Sequence, residues 1–304
     1  MFDTVTRRKL LQGSLVVAAG ALAGGMAGRT RIVTAAEAAA QDSKPPTPAG
    51  LRRSHLGLCT YLVGAKMDLP TLIDVCEKSG MEGVELRTEH AHKVEPSLDA
   101  AGRAKVKEVF SKTKVRLYSL GSICEFHSTK PDDVKKQIET AKSFVQLASD
   151  LGAWGVKVRP NGLAKDVPEE QTLKQIGESI ADVAEFGKSK NVVVVMEMHG
   201  SGTAEPPRCA KIMEFCKHPN AGLCWNSNGN DVKSGSVKES FELCKAWIRH
   251  AHVKDVDKGY PFEEFFKLLK GIDFTGYAML ECSAKGDPVE FLKACRARWE
   301  KMAG

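Results

Sequence analysis

Residues 192–200 read VVVVMEMHG, a run of four valines followed at once by an acid and a histidine. Four consecutive β-branched residues are apolar on both faces, which predicts a central parallel strand covered by helices. Side chains alternate along a strand, so Glu197 and His199 lie on the same side as Val193 and Val195, at the C-terminal end. Such a pair is either a strand end dipping into solvent or part of a site. In a barrel of parallel strands, that end carries the chemistry.

Working outward, short apolar runs alternate with amphipathic helical patterns from His55 onward. Strands are predicted at 55–60, 83–87, 115–120, 155–159, 192–198, 222–225, 248–254 and 277–282. Helices are predicted at 69–79, 100–112, 131–151, 168–189, 206–216, 237–246, 261–270 and 288–302, several of them opening on a proline that suits a first helical turn. Eight β/α units in about 250 residues point to an α/β protein, a single-domain (β/α)8 TIM barrel. A doubly wound open sheet is the alternative, but the first strand continues as LGLCTYLVG, without the Gly-rich phosphate fingerprint.

The strand ends hold residues that do not belong in a core. Thr60 and Tyr61 follow the first strand, Glu85 and Arg87 share one side of the second, and Lys157 and Arg159 share one face of the fourth. Glu197 and His199 close the fifth, Asn226 and Asn228 follow the sixth, His250, His252 and Lys254 form an alternating row on the seventh, and Glu281 ends the eighth. A single polar strand end is ordinarily solvated. Four successive strands closing on Glu, Asn, His and Glu aim at one point, as a metal site requires. Trp225 should point away from this mouth and is read as packing.

Composition sets the broad class. The chain has 42% hydrophobic and 27% charged residues, ordinary for a globular protein with ample core. Half of its net charge of +6 sits in the first 38 residues, where five basic side chains face two acidic ones. The remainder is too mild to argue for a nucleic-acid partner, and no basic patch is interleaved with aromatics. Residues 1–38 read as a twin-arginine export signal: Arg7 and Arg8 precede a Gly/Ala-rich apolar stretch from Leu10 to Ala27, with small residues near Ala36. Gln12, Ser14 and the glycines make that stretch a weak membrane anchor, so no membrane association is expected after signal removal. Residues 39–54 are a Pro-containing linker, and 55–304 the barrel. The nine cysteines form no CxxC pair and fall inside strand and helix patterns, which favours buried free thiols; a disulfide formed after export stays open.

The motifs VELR, VVMEMHG, GLCWN, HAHVKD and MLE, together, resemble the xylose-isomerase-like TIM barrel superfamily of sugar phosphate isomerases and epimerases, from about His55 to the end. The resemblance implies a divalent metal ion (Mn2+, Mg2+, Co2+ or Zn2+) held by Glu, Asp, His and Glu from strands five to eight. Carried over, these fall on Glu197, His252 and Glu281, with Asn226 in place of the Asp. An amide oxygen still binds a hard cation, with one negative charge fewer. The family's endonuclease branch uses a larger His and Asp set that this chain lacks.

The implied chemistry is proton abstraction next to a carbonyl, with Glu197 and Glu281 as acid/base pair and the metal polarising the substrate. Arg159, His199, His250 and Lys254 are candidates for binding substrate hydroxyls or tuning the metal, Glu85 and Arg87 for binding substrate, and Lys254 is equally open to a structural ion pair with Asp255 or Glu281. The partners expected are a small carbohydrate, the twin-arginine export machinery and, as an open possibility, a second copy of the chain. A periplasmic or secreted location argues against a phosphorylated sugar. The other readings are a lyase on an oxidised sugar or glycoside using the same metal, and a non-catalytic carbohydrate-binding protein that has lost its metal.

Overall fold

The computed structural model describes residues 54–254 and 259–303; the predicted export signal and all but the last residue of the linker lie outside them. Eight parallel strands close into a barrel: β1 (His55–Cys59), β2 (Gly83–Arg87), β3 (Arg116–Gly121), β4 (Gly155–Val158), β5 (Val193–Glu197), β6 (Ala221–Trp225), β7 (Ile248–Val253) and β8 (Tyr277–Leu280). Neighbours pair in sequence order, and β8 pairs with β1 to complete the ring. Eight helices alternate with them: α1 (Leu69–Ser79), α2 (Ala100–Ser111), α3 (Pro131–Leu151), α4 (Glu169–Ser189), α5 (Pro206–Cys216), α6 (Lys238–Cys244), α7 (Phe262–Gly271) and α8 (Pro288–Ala303). Every boundary lies within two residues of the sequence reading. Local signals set them: the Asp68 and Asp99 side chains accept the Thr71 and Gly102 amides at the starts of α1 and α2. Gly80 and Gly152, at φ of 75° and 76°, stop α1 and α3.

The barrel is apolar on its outer face and mixed within. Val194 and Met196 of β5, Leu223 and Trp225 of β6, and Ala251 and Val253 of β7 are fully buried in the core shared with the helices. Trp225 stacks on Phe265 at 5.4 Å, the packing role expected of it. Inside, Tyr118, Tyr277, Met279 and Cys59 form one cluster and Val193, Val195 and Cys224 another, with Trp154 against both. Gly57 and Gly83 make room for the large members: a Cβ on Gly57 would lie 2.4 Å from the Met279 sulfur, and one on Gly83 would lie 2.7 Å from the Tyr277 ring. The base is thereby closed by side chains, and the C-terminal end is left for polar groups.

Two register shifts interrupt the ring. Val84 pairs with Leu117 but Glu85 with Ser119, leaving Tyr118 as the extra residue. Leu223 pairs with Ile248 but Cys224 with His250, leaving Arg249 extra. Such a bulge re-aims side chains. On β3 it turns both Tyr118 and Ser119 into the barrel, where Tyr118 packs and Ser119 reaches Glu85. A two-stranded ribbon that the sequence did not suggest, Asn161–Gly162 beside Gly200–Ser201, joins the loops after β4 and β5.

Candidate active site

Four strand ends converge above the interior. Glu197 is the last residue of β5, Asn226 follows β6, His252 lies near the end of β7, and Glu281 follows β8. The ligand atoms of Glu197, His252 and Glu281 all lie within 4.8 Å of one another. His252 Nδ1 is 3.6 Å from Glu197 Oε1 and 3.8 Å from Glu281 Oε1. Neither His252 Nδ1 nor Asn226 Oδ1 has a hydrogen-bond partner, although both are buried. Buried polar atoms without partners carry a desolvation cost, and an unpartnered imidazole nitrogen against a pair of carboxylates, with an unpartnered amide oxygen on the neighbouring strand end, is a donor set that suits a divalent cation. The residues present therefore fit a metal ion.

The floor of the site is Glu85. Fully buried, it accepts hydrogen bonds from Ser119 Oγ at 2.8 Å, His250 Nε2 at 2.8 Å and His252 Nε2 at 3.0 Å. Burial alone would raise its pKa, but His252 and His250 outweigh that and hold the carboxyl well below the usual carboxylate range. With Nε2 of His252 donating downward, its Nδ1 is turned up toward Glu197 and Glu281. That is how an imidazole is fixed for a metal. Glu85 and His250, candidates for binding substrate hydroxyls, are both fully buried in this lower layer.

Lys157 adds a contact that sequence reasoning passed over. It is 4% exposed, and its Nζ lies 2.5 Å from Glu197 Oε2. The signal was present in the shared face of Lys157 and Arg159. The two carboxylates consequently differ. Burial tends to raise Glu197, but the Lys157 ammonium and His252 hold it far below its ordinary value. Glu281 is raised, by burial first and by Glu197 beside it, against the pull of His252.

The outer ring holds the remaining candidates. Arg159 Nη2 donates to Glu125 Oε1 at 2.6 Å, and Asn161 Nδ2 donates to the same oxygen at 2.6 Å. The ribbon between the two loops sets Asn161 against His199, whose Nδ1 lies 2.8 Å from Asn161 Oδ1. Lys254 Nζ donates to Asn228 Oδ1 at 2.8 Å and makes no ion pair with Glu281 among the described residues; the pair considered with Asp255 falls on a residue outside them. Arg87 donates to the Thr88 carbonyl at 3.2 Å, with its guanidinium 5.0 Å from the Tyr61 ring centre. Glu125 and Asn161 sit on loops with no strand periodicity to reveal them.

Solved structures similar to this chain share its fold. They include 3-keto-D-glucoside 4-epimerase from E. coli, with 12% identity, TM-score 0.67, and coverage of 82% of this chain and 100% of that one. D-psicose 3-epimerase with D-tagatose from Clostridium cellulolyticum H10 has 13% identity, TM-score 0.71, and coverage of 82% and 99%. The IOLI protein with a bound zinc atom has 16% identity, TM-score 0.68, and coverage of 82% and 98%. No curated protein sequence matches the chain. A family model described as the xylose isomerase-like TIM barrel matches residues 73–299, so the chain belongs to the xylose isomerase-like TIM barrel family.

Proposed function

We propose that the chain is an exported sugar isomerase or epimerase that removes a proton from the carbon next to a carbonyl. The carrying observation is the meeting of Glu197, His252 and Glu281 within 4.8 Å, with the Asn226 and His252 ligand atoms left without partners. Glu197, Asn226, His252 and Glu281 would hold a divalent ion, which supplies positive charge where oxygen becomes negative. Glu197 and Glu281 act as the acid/base pair. A carbon acid of this kind needs a carboxylate within reach of the proton and a fixed positive charge on the oxygen side. Lys157 holds one oxygen of Glu197 and keeps that carboxylate in place, while Glu281 has no such ammonium against it among the described residues. Glu85 fixes the ring of His252 from below. Support for a carbohydrate comes from the similar structures, two of which are sugar epimerases by name. Export by the twin-arginine route rests on Arg7 and Arg8 before the apolar stretch, and implies a periplasmic or secreted protein.

Solvent deuterium uptake into keto-sugars tests the reading directly. The full chain with Mn2+ should label unbroken sugar, and Glu197→Gln and Glu281→Gln should each abolish labelling while the fold is kept. Metal content is measured on each variant. Cleavage without labelled sugar would favour the lyase, and absence of both metal and turnover would favour the carbohydrate-binding protein.

A further inference from the structure

Next to the Glu197, His252 and Glu281 cluster lies a second group of donors that the chemistry above does not use. Cys224 on β6 pairs in register with His250 on β7, and His252 follows two residues later on the same inward face. One ligand atom from each of Cys224, His250 and His252 lies within 4.8 Å of the other two, and all three residues are fully buried. Both rings place Nε2 on Glu85, at 2.8 and 3.0 Å, and on both rings Nδ1 is buried without a hydrogen-bond partner. The Cys224 thiol is little better served: its polar contact among the described residues is the Trp225 carbonyl at 3.9 Å, weak even for a sulfur donor. Cys59 also lies close to His252, but its thiol is turned to Glu85, at 3.6 Å.

A buried nitrogen without a partner costs free energy that a ligand can recover. A histidine whose far nitrogen rests on a carboxylate is set for a metal at the other, and here one carboxylate sets two rings. The donor type decides which ion. Two carboxylates and an amide oxygen suit a hard cation, whereas a thiolate with two imidazoles suits a thiophilic one such as Zn2+ or Cu+ rather than Mg2+ or Mn2+. His252 belongs to both groups and has a single open nitrogen, so the two positions are not filled together.

We propose that the barrel has a second metal position, formed by Cys224, His250 and His252, which takes a thiophilic ion of the Zn2+ class and excludes an ion from the position at Glu197, His252 and Glu281. Binding exchanges the thiol proton for the ion, and the proton leaves to solvent. A thiophilic ion would then inhibit by withdrawing His252 from the carboxylates, so that the kind of metal decides where it sits. The site itself does not depend on the sugar reading; only the exclusion involves the ligands named there.

The test is X-ray absorption at the zinc edge of the full chain, stripped of metal and loaded with one equivalent of Zn2+. A sulfur neighbour at about 2.3 Å is expected, and a shell of nitrogen and oxygen alone overturns the proposal. Cys224→Ser should remove the sulfur and weaken Zn2+ binding at least about tenfold, the least that losing even a residue supporting a ligand costs. Glu281→Gln should keep the sulfur. Sulfur that persists in Cys224→Ser, or disappears in Glu281→Gln, overturns the assignment. Protein loaded first with Mn2+ should release it when Zn2+ is added, read as the spin-resonance signal of free Mn2+; both ions held together overturn the exclusion. A chain that binds Zn2+ through sulfur but takes no Mn2+ keeps the second position and removes the hard ion from the proposed reaction, so the two readings fail separately.

Discussion

A lysine that is 4% exposed is stable in a barrel interior only because a carboxylate lies against it. Breaking such a pair from one side leaves a buried charge alone and costs about 3–5 kcal/mol. Lys157→Met should therefore destabilise the chelator-treated protein by about that amount, and adding Glu197→Gln should recover a large part of it. Urea denaturation of the two single variants and the double variant measures this, and additive losses would mean that the two side chains do not interact. Asn226 poses the complementary question of a charge left out. If its amide oxygen is a ligand, Asn226→Asp should tighten divalent metal binding, by on the order of 1–3 kcal/mol on the scale of a hydrogen bond to a charged group. Titration of metal-free protein with Mn2+ or Zn2+ reads the difference. Equal affinities would place residue 226 outside the ligand set, and binding in the variant alone would mean that the native chain does without the metal.

At the scale of elements, the loop after β6 contains a carboxylate held against its preference. Asp231 is fully buried, accepts from the Asn228 amide at 2.6 Å and the Tyr260 hydroxyl at 3.0 Å, and has one oxygen without a partner. Burial pushes its pKa up to about 7. Because the folded value lies above the unfolded one, the stability it contributes is complete below about pH 4 and is lost as pH rises through about 7. Other carboxylates change stability in the opposite sense, so the readable quantity is a difference. Asp231→Asn should gain on wild type across that window, by an amount on the order of 4 kcal/mol for a shift of about three units. A difference flat from pH 4 to 8 would show that Asp231 titrates normally. The strands make a steric prediction. An alanine at 57 would place its Cβ 2.4 Å from the Met279 sulfur and 2.7 Å from the Gly83 carbonyl oxygen. Gly57→Ala should cost about 1–3 kcal/mol in a thermal or urea melt, and Met279→Ala should not restore it fully, because the carbonyl contact is backbone. The strands themselves were legible, since a run such as VVVV followed by polar residues has one regular interpretation. The bulges at Tyr118 and Arg249 were not, because an extra residue alters which side chains face inward without altering composition. Glu85 was legible as a polar residue on one side of its strand, but its depth was not, because Ser119, His250 and His252, which hold it, lie on other strands.

At the scale of the whole molecule, the ring order and the polar mouth followed from eight repeats of one pattern, whereas the pairings across the mouth did not. Lys157 with Glu197 is 40 residues apart in sequence and His252 with Glu85 is 167, distances over which local patterning carries no information. What the closed barrel does to the cysteines can be tested at the same scale. All nine are buried and free, on strands, helices and loops distributed around the ring. Burial raises the thiol pKa of Cys76 and Cys244 to about 12, so they are unreactive at neutral pH for want of thiolate as well as access. On the proposed twin-arginine route the chain would leave the cytoplasm folded, with its thiols already enclosed where an oxidising compartment does not reach them. Native protein recovered from the exported fraction should accordingly react slowly or not at all with a thiol reagent, and the same protein unfolded in guanidinium should titrate nine thiols. Fewer than nine after unfolding would mean that a disulfide forms after export. The paired control is Arg7→Lys with Arg8→Lys: a planar guanidinium pair is not replaced by two ammonium groups, so this precursor should stay in the cytoplasm with all nine thiols intact. Normal export of that variant would remove the twin-arginine reading while leaving the thiol prediction in place, because the enclosure is a property of the barrel alone.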